Sequence, residues 1–434
     1  MAILSDIVAA GMDRLLVRSN GPLNGTVAIN GAKNSVLKCM AACLLAKGRH
    51  RITNVPAITD VSIMADVLAA MGATVTHTGA GVDGVLTIDV PPEITPVAPY
   101  ELVERIRASI VVLGPLLARY GYAKVSMPGG DDFGERPIDM HLRAFEELGA
   151  VFSTEHGYVE GRCDRLVGTR IVLEYPSHTA TDNVLMAAVL AKGTTIIENA
   201  AREPEVSDLA DLLTGMGAHI EGAGTSHVEV EGVDELRPAE HRAIADRVEA
   251  ATFLAAVGLA GGEVQLDHAR PEHMDMLLHK LGTIGVHSVP NSGGILATSD
   301  GRLASADIST LPYPGVATDY KPALVTLLSV ADGVAIVSEN IFVGRFRYID
   351  ELRRMGAKIS IQGHHAVIRG VPRLSGAQVR APDIRAGAAL VLAGLVADGE
   401  TEVSGAEHID RGYENFHGRL QGLGADVQRV AGES

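Results

Sequence analysis

In the stretch MPGGDDFGERPIDMH, residues 127–141, Gly129, Gly130 and Gly134 surround the adjacent carboxylates Asp131 and Asp132, and Arg136 follows a few residues on. A segment this rich in glycine and charge reads as a loop and not as core. A carboxylic acid in such a loop can hand a proton to a reacting centre if its pKa lies near the working pH. Asp132 would raise the pKa of its neighbour, whereas arginines close by would lower it. Arginine itself supplies a planar fork that matches phosphate and carboxylate.

The same chemistry recurs along the chain. Lys33 and Asn34 open one apolar, Ala-rich run, Arg107 opens a second, and SHTATD (177–182) opens a third. Asp319 precedes a later run, Asp383 and Arg385 begin the last, and Arg345 (in ENIFVGRFRY) and Arg411 (in HIDRGYE) sit in loops after strand-like segments. Helix N-termini carry unpaired N–H groups and a positive partial charge that favour anions. If the apolar helices of each half point the same way, Lys33, Arg107, Arg136, Arg345, Arg385 and Arg411 gather in one cleft between two domains. Each arginine alone could brace a loop through a carboxylate such as Asp383 or Asp410; their shared placement at equivalent ends of repeats favours an anion pocket.

The elements that must position these residues repeat six times. NSVLKCMAACLLAKG, RASIVVLGPLLARYG, TDNVLMAAVLAKG, RVEAATFLAAVGLAGG, YKPALVTLLSVADG and RAGAALVLAGLVADG are each followed by a short strand-like run and a second, more polar helix. That helix ends in MGA, LGA or IGV, with glycines 72, 149, 217, 285, 356 and 424 spaced 68 to 77 residues apart. Glycine there suits a helix C-terminus that needs positive φ. The period predicts a βαβαββ-type unit, with the first helix apolar all round and buried and the second showing one polar face. The fold expected is α/β, helices inside and sheets outside, in two groups of three units, with GVDELRPAEHRAIAD near the middle as the crossover.

Composition bounds the rest. The 434 residues carry a net charge of −16, which argues against broad nucleic-acid or anionic-membrane binding while leaving room for a basic pocket. Apolar residues make up 47% of the chain, yet every apolar run breaks well short of the ~20 residues a spanning helix needs. The opening MAILSDIVAAGMDRLL is apolar at helical spacing but carries Asp6 and Asp13 and lacks a basic leader, so no signal peptide is expected and the location expected is cytoplasmic. Three cysteines with no CxxC pair indicate neither disulfides nor zinc, and Cys39 and Cys43 read as small core residues. TGAGVDGV and EGAGTS read as hairpin turns and GHHA as another turn, so no metal or cofactor is implied.

With NGAKN, PGGxxxGxRPxDxH, ENAAREPE, TDxxP, ENIFxxRF, DxRAGA and HIDRGYE in this order, the chain from about Leu23 onward resembles the UDP-N-acetylglucosamine enolpyruvyltransferases. The GNAGT signature of shikimate-type relatives is absent. The resemblance implies a two-domain inside-out α/β barrel of the EPSP synthase type. One domain would span 35–242 and the other 1–34 plus 243–434. It implies transfer of the enolpyruvyl group of phosphoenolpyruvate to a sugar 3-hydroxyl with release of phosphate, without a cofactor. By the same resemblance, Lys33, Arg136 and Arg411 bind phosphoenolpyruvate and steady its departing phosphate, and Arg345, Arg385 and Arg107 complete the cationic wall. Asp319 is the implied base and Asn34 orients the sugar, while Arg136, Pro137, Ile138 and Asp139 hold the uridine.

Two departures from the family pattern stand out. Asp131 occupies the place of the cysteine that most members use to protonate the enol methylene and that fosfomycin alkylates, as in fosfomycin-insensitive, actinobacterial-type members. In EYPSHTATDN, Tyr175 replaces a lysine, and His178 with Thr179 replaces a Val-Gly pair in the loop whose N–H groups hold the diphosphate. Ser177, His178 and Thr179 would then face the acceptor. Loss of that glycine makes close backbone approach to a phosphate harder. The acceptor implied is UDP-N-acetylglucosamine; UMP or another uridine nucleotide of secondary metabolism is the alternative. A non-catalytic nucleotide-sugar binding protein is a third reading, opposed by the presence of Lys33, Asp319, Arg385 and Arg411.

Overall fold

The structure, a computed structural model, describes residues 13–127, 138–342 and 344–432. All six apolar runs are helices: Lys33–Ala42, Leu113–Tyr120 (continuing the 3-10 turn Arg107–Val112), His178–Ala188, Arg247–Ala260, Lys321–Ser329 and Ile384–Gly394. Every residue of Ile384–Gly394 is buried, as is all of Arg247–Ala260 except its last residue. A helix without a polar face has no other stable place in water.

The second helices are Thr59–Ala70, Asp139–Glu147, Pro204–Gly215, Asp275–Ile284, Ile349–Arg354 and Phe416–Gly422. The glycine after each one, from Gly72 to Gly424, has φ between +91° and +113°. A side chain there would be strained, which explains why a glycine recurs after the second helix of every unit.

Six four-stranded sheets occur among the described residues. The unit from 170 to 231 shows the pattern in one continuous piece. Arg170–Val172 runs parallel to Thr194–Glu198 across helix His178–Ala188, and Thr194–Glu198 pairs antiparallel with His227–Glu231, which pairs with His219–Glu221. That is the βαβαββ grammar expected. The Gly-rich TGAGVDGV and EGAGTS segments join antiparallel strands, Thr74–Thr78 with Val85–Val90 and His219–Glu221 with His227–Glu231.

Three units are completed by strands from far along the chain. The strand before helix Lys33–Ala42 in space is Glu240–Arg242, parallel to Gly48–Thr53. The strand before helix Arg247–Ala260 is Leu23–Ala28, parallel to Gly262–Asp267. Arg14–Arg18 lies between Glu400–Ser404 and Asp426–Val430, antiparallel to both, with Arg14 opposite Ser404 and Val430. In this strand Leu15 and Val17 alternate inward.

The described chain divides into two compact units, 13–30 with 245–432 and 31–127 with 138–244. Lys33 and Asn34 belong to the second, although the expected boundary fell after residue 34, because they open a helix whose other eight residues are all buried in that unit. Each unit has its own core, one around Phe253, Leu324 and Leu390, the other around Met40, Val112 and Leu185. Among the described residues no helix is long and apolar enough to cross a membrane.

Candidate active site

Asp131, Arg136 and Pro137, with Asp132, lie outside the described residues. The remaining expected site residues are divided between the two units.

In the unit 13–30 with 245–432, Asp319 stands two residues before helix Lys321–Ser329, which starts with Pro322 in its first turn. Arg345 Nη1 donates to Asp319 Oδ1 at 2.6 Å and to Thr318 Oγ1 at 3.2 Å. Arg385 Nε lies 3.4 Å from Asp319 Oδ2. Asp383 caps helix Ile384–Gly394 by accepting from the N–H groups of Arg385 and Ala386, both at 2.9 Å, so Arg385 is held on the first turn. Both guanidiniums are buried, at 3% and 4% exposure, while Asp319 is 27% exposed. Burial opposes the charge on Arg345, but the carboxylates of Asp319 and Asp383 outweigh it and hold its pKa above the ordinary value. Arg385 is likewise held up against burial by Tyr413, Asp319 and Asp246. Its Nη1 is buried with no hydrogen-bond partner among the described residues.

Beneath this group, fully buried Lys321 pairs with Glu339 at 2.7 Å and donates to the Arg345 carbonyl at 2.6 Å. Burial lowers the Lys321 pKa to about 8. Glu339 also accepts from the hydroxyls of Thr310 and Thr318, both at 2.7 Å, and from the N–H groups of Ile341 and Phe342. A buried charge pair needs such saturation to be tolerated. On a neighbouring helix Asp246 accepts from Val248 and Glu249 N–H, and Arg247 Nη1 donates to Tyr320 Oη at 2.9 Å. Arg411 is half-buried at the C-terminal cap of helix Ala406–Asp410.

In the unit 31–127 with 138–244, Lys33 and Asn34 are half-buried on the first turn of their helix, and Lys33 Nζ is 2.7 Å from Asp60 on the second helix of the same repeat. Ser177 caps helix His178–Ala188, accepting from Ala180 N–H at 3.4 Å. His178 and Thr179 occupy the first turn, half-buried. His178 meets Lys38 and Asp182, both deeply buried. Half-buried Arg107 opens the 3-10 turn, and Ile138 and Asp139 start helix Asp139–Glu147, where Asp139 lies 3.8 Å from Arg143. His141 on that helix is buried and accepts from the Asn183 amide at 3.0 Å. Burial, reinforced by the charge of Arg107, pushes its pKa down to about 4.

Sequence reasoning did not single out Lys38, Asp60, Lys321, Glu339 or Tyr413. Lys38 had a signal, a lone cation inside an otherwise apolar run. The ligand atoms of Cys39, Asp208 and His241 come within 4.8 Å of one another. Asp208 already accepts from Ser35, from His241 at 2.9 Å and from Ile244 N–H at 3.4 Å, and burial pushes the Cys39 thiol well above its ordinary pKa. The cluster reads as a hydrogen-bonded core knot holding a protonated thiol. Cys39 and Cys43 are both fully buried, as expected.

A model of the EPSP synthase (3-phosphoshikimate 1-carboxyvinyltransferase) family matches residues 17–420. The chain is 49% identical to the UDP-N-acetylglucosamine 1-carboxyvinyltransferase of Nocardia farcinica, over 97% of this chain and 99% of that one. It is 48% identical to the protein of the same name from Corynebacterium efficiens, over 96% and 98%. Among solved structures, the enolpyruvyl transferase NikO from Streptomyces tendae superposes with a TM-score of 0.87 at 25% identity, covering 98% of this chain and all of that one. EPSP synthase from Acinetobacter baumannii, at 0.73 and 17% identity over 96% of this chain and all of that one, shares the fold.

Proposed function

Because the chain belongs to the 1-carboxyvinyltransferase family, with relatives at 48–49% identity named UDP-N-acetylglucosamine 1-carboxyvinyltransferase, we propose that it moves the enolpyruvyl group of phosphoenolpyruvate to the 3-hydroxyl of UDP-N-acetylglucosamine, a step of peptidoglycan precursor synthesis. The 3-hydroxyl oxygen adds to C2 of phosphoenolpyruvate while Asp319 takes its proton. Asp131 gives a proton to C3, turning methylene into methyl. The methyl then returns a proton as the C2–O bond to phosphate breaks, the double bond re-forms, and phosphate leaves with the proton held by Asp319. Every atom of both substrates is accounted for in the enolpyruvyl ether and phosphate.

The observation that carries this reading is the grip of two buried arginines on partly exposed Asp319, with the Nη1 of Arg385 still unspent. Cations already fixed beside the reacting centre stabilise developing negative charge without having to reorganise, and in many active sites this does more to lower the barrier than any other effect. Lys33, Arg107, Arg136 and Arg411 are assigned to the phosphate and carboxylate of phosphoenolpyruvate. Asn34, Arg136, Pro137, Ile138, Asp139, Ser177, His178 and Thr179 are assigned to the uridine nucleotide.

A second reading, UMP or another uridine nucleotide as acceptor, is favoured by one feature: histidine and threonine at 178 and 179 put two side chains on the turn where a glycine would admit a diphosphate. Phosphate release from phosphoenolpyruvate, measured with UDP-N-acetylglucosamine and separately with UMP, decides between them, with the product mass showing the added enolpyruvyl group. Release with UMP alone overturns the first reading.

A further inference from the structure

We propose that Lys38 is a positioning residue for the acceptor: it fixes His178 as the neutral tautomer with its proton on Nδ1, so that His178 meets the acceptor's phosphate as an uncharged hydrogen-bond donor. The second half of this inference rests on the assignment of residues 177–179 to the acceptor.

Lys38 projects from helix Lys33–Ala42 and His178 from the first turn of helix His178–Ala188, within one compact unit. Lys38 Nζ is 3.1 Å from His178 Nε2 and 3.3 Å from Asp182 Oδ2, and His178 Nε2 is 3.4 Å from the same carboxylate oxygen. Lys38 is 3% exposed, Asp182 not at all, and His178 19%. An ammonium offers only donors, so the ring nitrogen it faces must accept, and the ring's single proton then sits on the other nitrogen.

Two other states lose to this one. An imidazolium would set an N–H against a like charge about 3 Å away, and lysine holds its proton more tightly than histidine by about four pK units before either is perturbed. The Nε2–H tautomer would point a donor at a donor. Asp182 does not reverse the outcome. Burial raises its pKa to about 7 against the pull of Lys38, with Glu203 and Glu205 from the adjoining helix and its lead-in adding to the rise. As a carboxylate it anchors Lys38; as an acid it adds a second donor for which Nε2 is again the acceptor. In either protonation state of Asp182, Nε2 therefore remains the accepting nitrogen and the ring proton stays on Nδ1.

The side chains of asparagine and glutamine separate the two ring positions, since asparagine carries an N–H near the place of Nδ1 and glutamine near that of Nε2. His178→Asn should keep the KM for the acceptor within about threefold, whereas His178→Gln should raise it about tenfold, the worth of one charge-assisted hydrogen bond. Lys38→Met should raise the same KM by a similar factor, make it vary between pH 6 and 8, and leave the KM for phosphoenolpyruvate unchanged. Long-range proton–nitrogen NMR on the full chain labelled at histidine, with His178→Gln identifying the signals, should report Nδ1–H from pH 6 to 8.

An Nε2–H or doubly protonated His178 in the unsubstituted protein overturns the role of Lys38. Equal losses in the Asn and Gln variants overturn the contact with the acceptor. If Lys38→Met does not fold, the Asn and Gln pair and the NMR measurement still decide. If the protein releases phosphate with neither acceptor, the proposed function fails, and the NMR result still judges Lys38 on its own.

Discussion

Arg345 reaches Asp319 Oδ1 at 2.6 Å with a guanidinium that is 3% exposed, while its own carbonyl accepts from Lys321. One arginine is thereby held at both ends, and the carboxylate it grips is presented at the unit's surface in a fixed orientation. Asp319→Asn preserves shape and removes the ability to accept a proton. Turnover should fall about a thousandfold, within the range of general-base contributions, while binding of the nucleotide by calorimetry changes by less than about threefold. Turnover near that of the unsubstituted protein removes Asp319 as the base.

The resemblance assigns Asp131 to the place of the cysteine that fosfomycin alkylates in sensitive relatives. Asp131→Cys should convert insensitivity into time-dependent inactivation, with the mass of the protein rising by one fosfomycin adduct. Continued insensitivity with full activity would show that residue 131 does not occupy the proton-donating position.

His141 predicts an acid limb of stability. Its pKa is about 4 in the folded chain and ordinarily about 6.5, so the unfolded chain binds more protons between those values. The stabilising contribution is complete above pH 6.5 and is lost as pH falls toward 4. His141→Gln should make the denaturant midpoint less acid-sensitive, the unsubstituted protein losing about 3 kcal/mol more than the variant between pH 7 and 4. Parallel pH profiles would refute this account.

Gly258 lies inside helix Arg247–Ala260, where alanine is intrinsically better by about 1 kcal/mol. An added Cβ would meet Val286 Cγ2 at 2.5 Å and Leu327 Cδ2 at 2.8 Å, both fully buried. Overpacking of this kind costs about 1–3 kcal/mol, so packing should win. Gly258→Ala should lower the urea midpoint with an unchanged slope; an unchanged or raised midpoint would mean the core yields there.

The six repeats were legible because each combines two signals that depend only on near neighbours, an apolar run and a glycine that tolerates positive φ. The loops that become helix caps were legible for the same reason, as at Asp383 and Ser177. Strand exchange was not. Nothing near Leu23 announces Gly262 as its partner, more than two hundred residues further along the chain. Charged residues inside apolar runs were visible, but their partners were not: Lys38 meets His178 and Asp182 about two repeats on, and Lys321 meets Glu339 after the next strand, and nothing beside either lysine marks its partner.

Strand Arg14–Arg18 has a temporal consequence. Its antiparallel partner Asp426–Val430 lies across a span that the Asp13–Arg429 contact puts at 416 residues. On a ribosome adding roughly 5–20 residues per second, the earlier strand waits on the order of tens of seconds for the later one. The unit that begins at residue 31 is complete by residue 244 and can fold while its predecessor is still missing most of its sheets. A nascent chain that has reached residue 244 holds, of the other unit, only the strands Arg14–Arg18 and Leu23–Ala28 without their partners, and chaperones that shield strand edges would act there rather than on the full-length chain.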